Sequence, residues 1–236
     1  MCTVSFVNTN SKIIITSNRD EKTLRPNAIE PKNYLINSKK IIFPKDKKAG
    51  GTWFAINENS TILVLLNGAK EKHDLKESYG KSRGLIVLEL ISSRSVIEEW
   101  KSIHLENIEP FTLVLFEEDK LYQLRWDEIE KSSIELDTKQ SHIWSSSTLY
   151  SKEIREKRAS WFYTFLDTKP AVNPEELFNF HRYTEAENSE HGLVINRNDT
   201  LKTLSITQTV IERNKVAIHY NDLIADKDFS NTFMSV

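Results

Sequence analysis

Met1-Cys2-Thr3-Val4-Ser5-Phe6-Val7, the linker Asn8 to Lys12, and Ile13-Ile14-Ile15-Thr16-Ser17-Asn18-Arg19-Asp20-Glu21 form the stretch from which fold and chemistry are read. Cys2 is the single cysteine of the 236-residue chain. Cytosolic aminopeptidases remove an initiator methionine when the next residue is small. A processed Cys2 would carry a thiol and an α-amino group on one residue. An α-amine titrates near pH ~8 and a thiol near pH ~8.5, so each is within reach of its reactive form at neutral pH. A nucleophile with its own base two bonds away is equipped for acyl transfer.

The residues after Cys2 return to it. Two apolar, β-rich runs, Cys2 to Val7 and Ile13 to Asn18, flank Asn8-Thr9-Asn10-Ser11, which is turn chemistry. An antiparallel hairpin with Val7 opposite Ile13 would set Asn18 opposite Cys2. Arg19 and Asp20 would then emerge beside the chain start. Arg19 is a permanent cation that could hold a thiolate or a substrate carboxylate. Asp20 could accept from the free ammonium. The plainer reading is a surface charge cluster after an edge strand.

Asn18-Arg19-Asp20-Glu21 followed by Arg25-Pro26 resembles the signature of the NRDE proteins, the transport and Golgi organisation family. Gly50-Gly51-Thr52-Trp53-Phe54-Ala55-Ile56, Leu65-Leu66-Asn67 and Ser82-Arg83-Gly84-Leu85-Ile86-Val87 resemble further family blocks, in the family's order. The family is similar to N-terminal-nucleophile hydrolases. The resemblance implies an α+β fold, a four-layer αββα sandwich of two antiparallel sheets. It implies an N-terminal-cysteine hydrolase acting on a linear C–N amide. Cys2 is then nucleophile, Arg19 its orienter, Asp20 the ammonium's partner, and Asn67 a donor to the oxyanion. Asn18, Trp53, Ser146 and Gln208 are the substrate-binding candidates. The sequence departs from the family at two places. Ser146 stands where an Asn is expected, and Ile206 where an Arg is expected. Both departures favour impaired turnover. The alternative is a non-catalytic carrier or chaperone for haem or lipid, with Cys2 as an iron ligand.

Composition sets the outer limits. A chain of 236 residues fits one domain, residues 1–236, with a substantial core. A net charge of -2 gives no field for nucleic acid or an anionic membrane. One cysteine leaves no internal disulfide and no cysteine-rich zinc site. No run approaches ~18 apolar residues, so no membrane span is expected. No apolar segment precedes Cys2, residue 2 is not Gly, and a cytoplasmic location is expected. The six histidines lack metal-site spacing, and neither Gly-x-Gly-x-x-Gly nor a Walker loop occurs, so no metal is expected. His142 has papain-like spacing from Cys2, but the local cysteine signature is missing. The partner expected is a small-molecule amide or an apolar ligand. The five tryptophans read as core or as a pocket wall.

Further along, hairpins are expected at Thr52 to Leu66, Phe111 to Trp126, Ser133 to Trp144 and Thr203 to Tyr220. Helices are expected after Ser82, Ser95, Ser151 and Asn173. Asn173-Pro174-Glu175-Glu176 reads as a capping box. The helix behind it reads as a short surface helix, with His181, Arg182 and Tyr183 as candidates to face a pocket. Asp222 to Val236 reads as a loosely held tail.

Overall fold

A computed structural model describes residues 3–236. The chain divides into two compact units. One holds the chain up to Arg25 and Lys139–Met234, and the other holds Pro26–Thr138 with Ser235–Val236. Each unit is built on one seven-stranded antiparallel sheet. With four helices in all among the described residues, the architecture is α+β.

The first unit opens with β1 (Thr3–Thr9) and β2 (Lys12–Lys22). Asn10 and Ser11 carry φ of 48° and 60°, the two left-handed residues of a type I′ turn. That turn needs two residues, not four, so the strands run closer to it than the sequence suggested. Val7 pairs with Ile14, and Asn18 pairs with Thr3. The register is therefore one residue from the expected one, and a one-residue slip changes which face every side chain occupies. The expected Cys2 side of that pairing lies outside the described residues.

The second unit is a sequential meander, β3 (Ile29–Ile36), β4 (Lys39–Lys45), β5 (Phe54–Asn57), β6 (Ile62–Asn67), β7 (Phe111–Glu117), β8 (Lys120–Trp126) and β9 (Lys131–Leu136). Ile62 to Leu66 are buried on both faces of β6, as continuous apolar runs in central strands are. Two helices, α1 (Arg83–Ile91) and α2 (Val96–Ser102), join β6 to β7. The buried side of α1, with Ile86, Val87, Leu90 and Ile91, packs on β5 and β6. The short α2 is gripped at both ends. Glu117 accepts from Val96 N at 2.7 Å and Ile97 N at 3.1 Å. Lys131 Nζ donates to the carbonyls of Trp100, Lys101 and Ile103 at 2.8–2.9 Å. An anion at the N-terminus and a cation at the C-terminus both oppose the helix dipole and satisfy its orphan groups. Lys131→Met should lower stability by about 1–2 kcal/mol, read as a lower urea midpoint with an unchanged slope.

The chain then returns to the first unit as β10 (His142–Ser145), which pairs with β1, not with β9. The residues read from sequence as the turn of a β9–β10 hairpin are the crossing between the units. Local alternation identified both strands and could not say which sheet each would join. Next come α3 (Lys152–Asp167), α4 (Pro174–Tyr183), β11 (Asn196–Arg197), β12 (Leu201–Glu212), β13 (Lys215–Asp222) and β14 (Lys227–Met234). The sheet order is β10-β1-β2-β12-β13-β14, with β11 also on β12. The expected loose tail is thus an edge strand. Its exposed polar residues gave no core signal, and pairing with β13 over Lys215–Asp222 supplies its order.

The capping box at Asn173 forms in full, with Glu176 N to Asn173 Oδ1 at 2.9 Å and Asn173 N to Glu176 Oε2 at 3.0 Å. Helices α3 and α4 cover one face of this sheet. Their core comprises Val7 and Ile14 from the strands, Phe162, Leu177 and Phe180 from the helices, and Val172 and Leu193 from loops. Strand alternation therefore sorts Thr3, Ser5, Val7, Ile14, Thr16, Asn18 and Asp20 onto the helix-covered face. Val4, Phe6, Ile15, Ser17 and Arg19 lie on the other.

Candidate active site

Asp20 is buried on the helix-covered face. Its Oδ1 accepts from Thr203 Oγ1 at 2.6 Å, and its Oδ2 accepts from Tyr150 OH at 2.6 Å. The Tyr150 ring lies under the Arg158 guanidinium, 3.6 Å from Cζ to ring centroid. Arg158, from α3, is fully buried. It donates to Thr3 Oγ1 at 2.6 Å, to the His191 carbonyl at 3.2 Å, and to the Gly192 carbonyl. A buried guanidinium is tolerated only where its fork of donors is used, and here it is spread over three acceptors and an aromatic face. The result is one connected network from Thr3 through Arg158 and Tyr150 to Asp20 and Thr203.

A second network ties α4 to the first two strands. Asn18 Nδ2 donates to the carbonyls of Leu193 at 2.7 Å and His181 at 3.1 Å. Those two bonds fix the amide orientation, so Asn18 Oδ1 faces His181 Nδ1 at 2.5 Å. An amide oxygen only accepts, so Nδ1 carries the proton and Nε2 accepts from Ser5 Oγ at 2.7 Å. The connectivity is that of nucleophile, base and orienter, but all three residues are fully buried, so they act as a strut. Burial, with a smaller push from Arg158, holds the His181 pKa down at about 3. His181 is thus a neutral core residue, not the surface-helix residue the sequence suggested. Leu177, Phe180 and His181 stand at i, i+3 and i+4, so His181 shares the buried stripe of α4.

Arg19 is also buried, with 3% exposure, and alternation puts it on the opposite face from Asp20. A β-bulge at Leu204 breaks the β2–β12 register, so Thr203 pairs with Asp20 and Ser205 pairs with Arg19. Without the extra residue, Thr203 and Ser205 would share a face. The bulge gives each of the two consecutive charged residues a hydroxyl neighbour on its own side. Beyond Arg19 the same face carries Ser205, Thr207 and Thr209 on β12, and Ser17 on β2 directly opposite Thr207. All four hydroxyls are buried, and none has a hydrogen-bond partner among the described residues.

The remaining candidates fall elsewhere. Gln208 sits on the helix-covered face, with Nε2 donating to Thr16 Oγ1 at 2.9 Å and to the Pro174 carbonyl at 3.0 Å. Ser146 is buried in the loop before α3, with its Oγ 2.9 Å from Thr148 Oγ1. Ile206 pairs with Asn18, so it also faces the helices and not Arg19. Trp53 and Asn67 belong to the second unit. Trp53 is buried before β5, and Asn67 ends β6 opposite Phe111. Cys2 lies outside the described residues. Among those described, no group of His, Cys, Asp and Glu has a metal-holding arrangement, and no helix is long and apolar enough to cross a membrane.

Residues 1–222 match the family described as Transport and Golgi organisation 2. The chain belongs to that family. No curated protein sequence matches it. Solved structures of the same fold include an Arg-to-Leu variant of conjugated bile acid hydrolase from Clostridium perfringens. It has a TM-score of 0.55 and 9% identity, covering 100% of this chain and 97% of that one. A mutant of that enzyme with Cys changed to Ala at position 2 gives 0.51 and 10%, with the same coverage. The Caenorhabditis elegans ortholog of N-acylethanolamine-hydrolyzing acid amidase gives 0.61 and 9%, covering 89% of this chain and 92% of that one. The fold implied by the resemblance, that of N-terminal-nucleophile hydrolases, is therefore the fold this chain has. Two blocks of the Transport and Golgi organisation 2 family become a single feature in the second unit. Thr52 N donates to the Gly84 carbonyl at 3.1 Å, so the Gly-Gly-Thr-Trp and Ser-Arg-Gly blocks meet backbone to backbone.

Sequence reading missed Arg158, Tyr150, Thr203 and Ser5. Arg158 did leave a signal. With Ile154 and Phe162 it recurs at i, i+4 and i+8, a cation inside an apolar stripe. Tyr150, Thr203 and Ser5 left none, because the site residues that they hydrogen-bond, Asp20 and His181, are more than 100 residues away in the chain.

Proposed function

We propose that this protein is an N-terminal-cysteine amidohydrolase acting on a linear C–N amide. The observation that supports it best is the buried pair Arg19 and Asp20, held on opposite faces of the strand beside β1, within a fold shared with a conjugated bile acid hydrolase and an N-acylethanolamine-hydrolyzing acid amidase. In this reading the Cys2 thiolate attacks the amide carbonyl and its freed α-amine accepts the thiol proton. The amine leaving group takes that proton as the C–N bond breaks. Water then hydrolyses the thioester to a carboxylic acid and restores the thiol. Arg19 is the cation that holds the thiolate or a substrate carboxylate. Asp20, fixed by Tyr150 and Thr203, is the anchor for the ammonium. For Asn67, Trp53 and Ser146 the reading rests on the resemblance alone.

An electrophilic amide or lactone probe should acylate the N-terminal peptide of the wild-type protein, and Cys2→Ala should abolish it. Intact mass must show loss of Met1. Retained methionine, or labelling that survives Cys2→Ala, would falsify the mechanism.

A further inference from the structure

The two sheets end on β3, β9, β10 and β14. An open strand edge is a template for another chain, and native proteins blunt it with proline, bulges, charges or shortness. β3 carries Pro31 and Lys32 and a break in its register against β4. β9 has six residues and includes Lys131 and Glu135, and β10 has four. β14 is different. It runs for eight residues, and its charges, Lys227 and Asp228, stand together at one end. From Phe229 to Met234 it holds no charge, proline or break in register, and among the described residues it pairs with β13 alone. It also lies past residues 1–222, the part that matches the family.

The pattern along β14 points to its partner. Phe229, Asn231 and Phe233 are half-buried and stand opposite Tyr220, Ile218 and Val216, which are buried. The apolar face of the sheet therefore reaches this edge with two phenylalanines left partly uncovered. Asp228, Ser230, Thr232 and Met234 alternate with them and are exposed. Set antiparallel to itself about Asn231, the strand is self-complementary. Phe229 falls opposite Phe233 of the second copy on one face, and Ser230 falls opposite its Thr232 on the other. Aromatic pairs and Ser–Thr pairs are favourable cross-strand combinations, and this register opposes no like charges.

We propose that β14 is a homodimer edge, at which two copies join antiparallel about Asn231 into one continuous sheet. This goes beyond the amidohydrolase reading and does not depend on it.

Sedimentation velocity on the full chain tests it. The wild-type mass should rise with concentration from 27.4 kDa toward twice that value. Asn231→Lys sets two ammonium groups opposite each other at the two-fold axis and should raise the dissociation constant at least about tenfold. Cysteine cross-linking in a Cys2→Ala background then reads the register. Asn231→Cys should give a disulfide-linked dimer on mild oxidation, because directly opposite Cα atoms lie about 4.5–5.5 Å apart, within disulfide range. Met234→Cys should not, because its two copies would stand about 20 Å apart along the strands. A wild-type mass that stays at the monomer value at every concentration overturns the proposal. A dimer that survives Asn231→Lys, or that cross-links equally through Met234→Cys, has its contact elsewhere and overturns it too. If Asn231→Lys loses its far-ultraviolet circular dichroism, the contrast between the two cysteine variants decides alone.

Discussion

Gly51→Ala should destabilise the protein by more than about 3 kcal/mol, beyond the usual cost of overpacking. A Cβ at Gly51 would lie 2.3 Å from the Gly84 carbonyl carbon and 2.6 Å from Leu85 N. Those atoms are backbone at the start of α1, so no side chain can rotate away. The reverse clash is also built in, since a Cβ on Gly84 would lie 2.8 Å from Thr52 O. Relief would require α1 to move off β5 and β6, giving up the burial of Ile86, Val87, Leu90 and Ile91. Gly80→Ala is the matched control, because its nearest neighbour would be at an ordinary 3.7 Å. Urea denaturation should show a large drop in midpoint for Gly51→Ala and almost none for Gly80→Ala. Similar midpoints for the two would remove the close-approach account of the paired glycine blocks.

The second large effect is on the acid side. His181 has a folded pKa of about 3 against an ordinary 6.5, chiefly because burial penalises the imidazolium. A depressed histidine acts in the sense opposite to the common one. Above pH 6.5 neither state binds the proton, and the neutral ring costs nothing. Between pH 6.5 and 3 the unfolded chain binds a proton that the folded chain refuses, so stability falls as pH falls. The slope approaches 1.4 kcal/mol per pH unit, and about 5 kcal/mol in total is at stake over that window. His181→Gln should cost about 1–3 kcal/mol at pH 7 by disturbing the strut to Asn18 and Ser5. Its stability should then decline less steeply than the wild type between pH 6.5 and 4. Parallel pH profiles for the two proteins would show that a neutral buried imidazole is not the cause.

Much of the fold was legible because its signals are local. The caps at Ser95 and Asn173, the alternation of Leu121 to Trp126 and the apolar run of β6 depend on neighbours a few residues away. The errors were of one kind. The β1–β2 register depended on whether the turn used two residues or four, and the left-handed pair Asn10 and Ser11 decided that. The pairing of β10 with β1 and of β14 with β13 depended on which edge was available. Alternation states that a strand has two faces and says nothing of its partner.

The candidate site divides in the same way. Arg19, Asp20 and Asn18 could be found from their adjacency to the Cys2 strand. Their assignment to faces could not, because it turns on the one-residue register and the bulge at Leu204. Gln208 and Asn18 read as substrate contacts, and the structure commits their side chains to α4.

The amino-acid order alone determined the family, the α+β class and a lone cysteine at position 2, since each is a matter of residue type and short spacing. Only the tertiary structure decided that Arg158 secures Thr3 and stacks on the tyrosine that holds Asp20, that His181 is neutral, and that four hydroxyls share a buried face with Arg19. The physical reason is that a hydrogen bond, a desolvated charge or a shared sheet face depends on distance in space. Chain order does not fix that distance for residues more than a hundred positions apart.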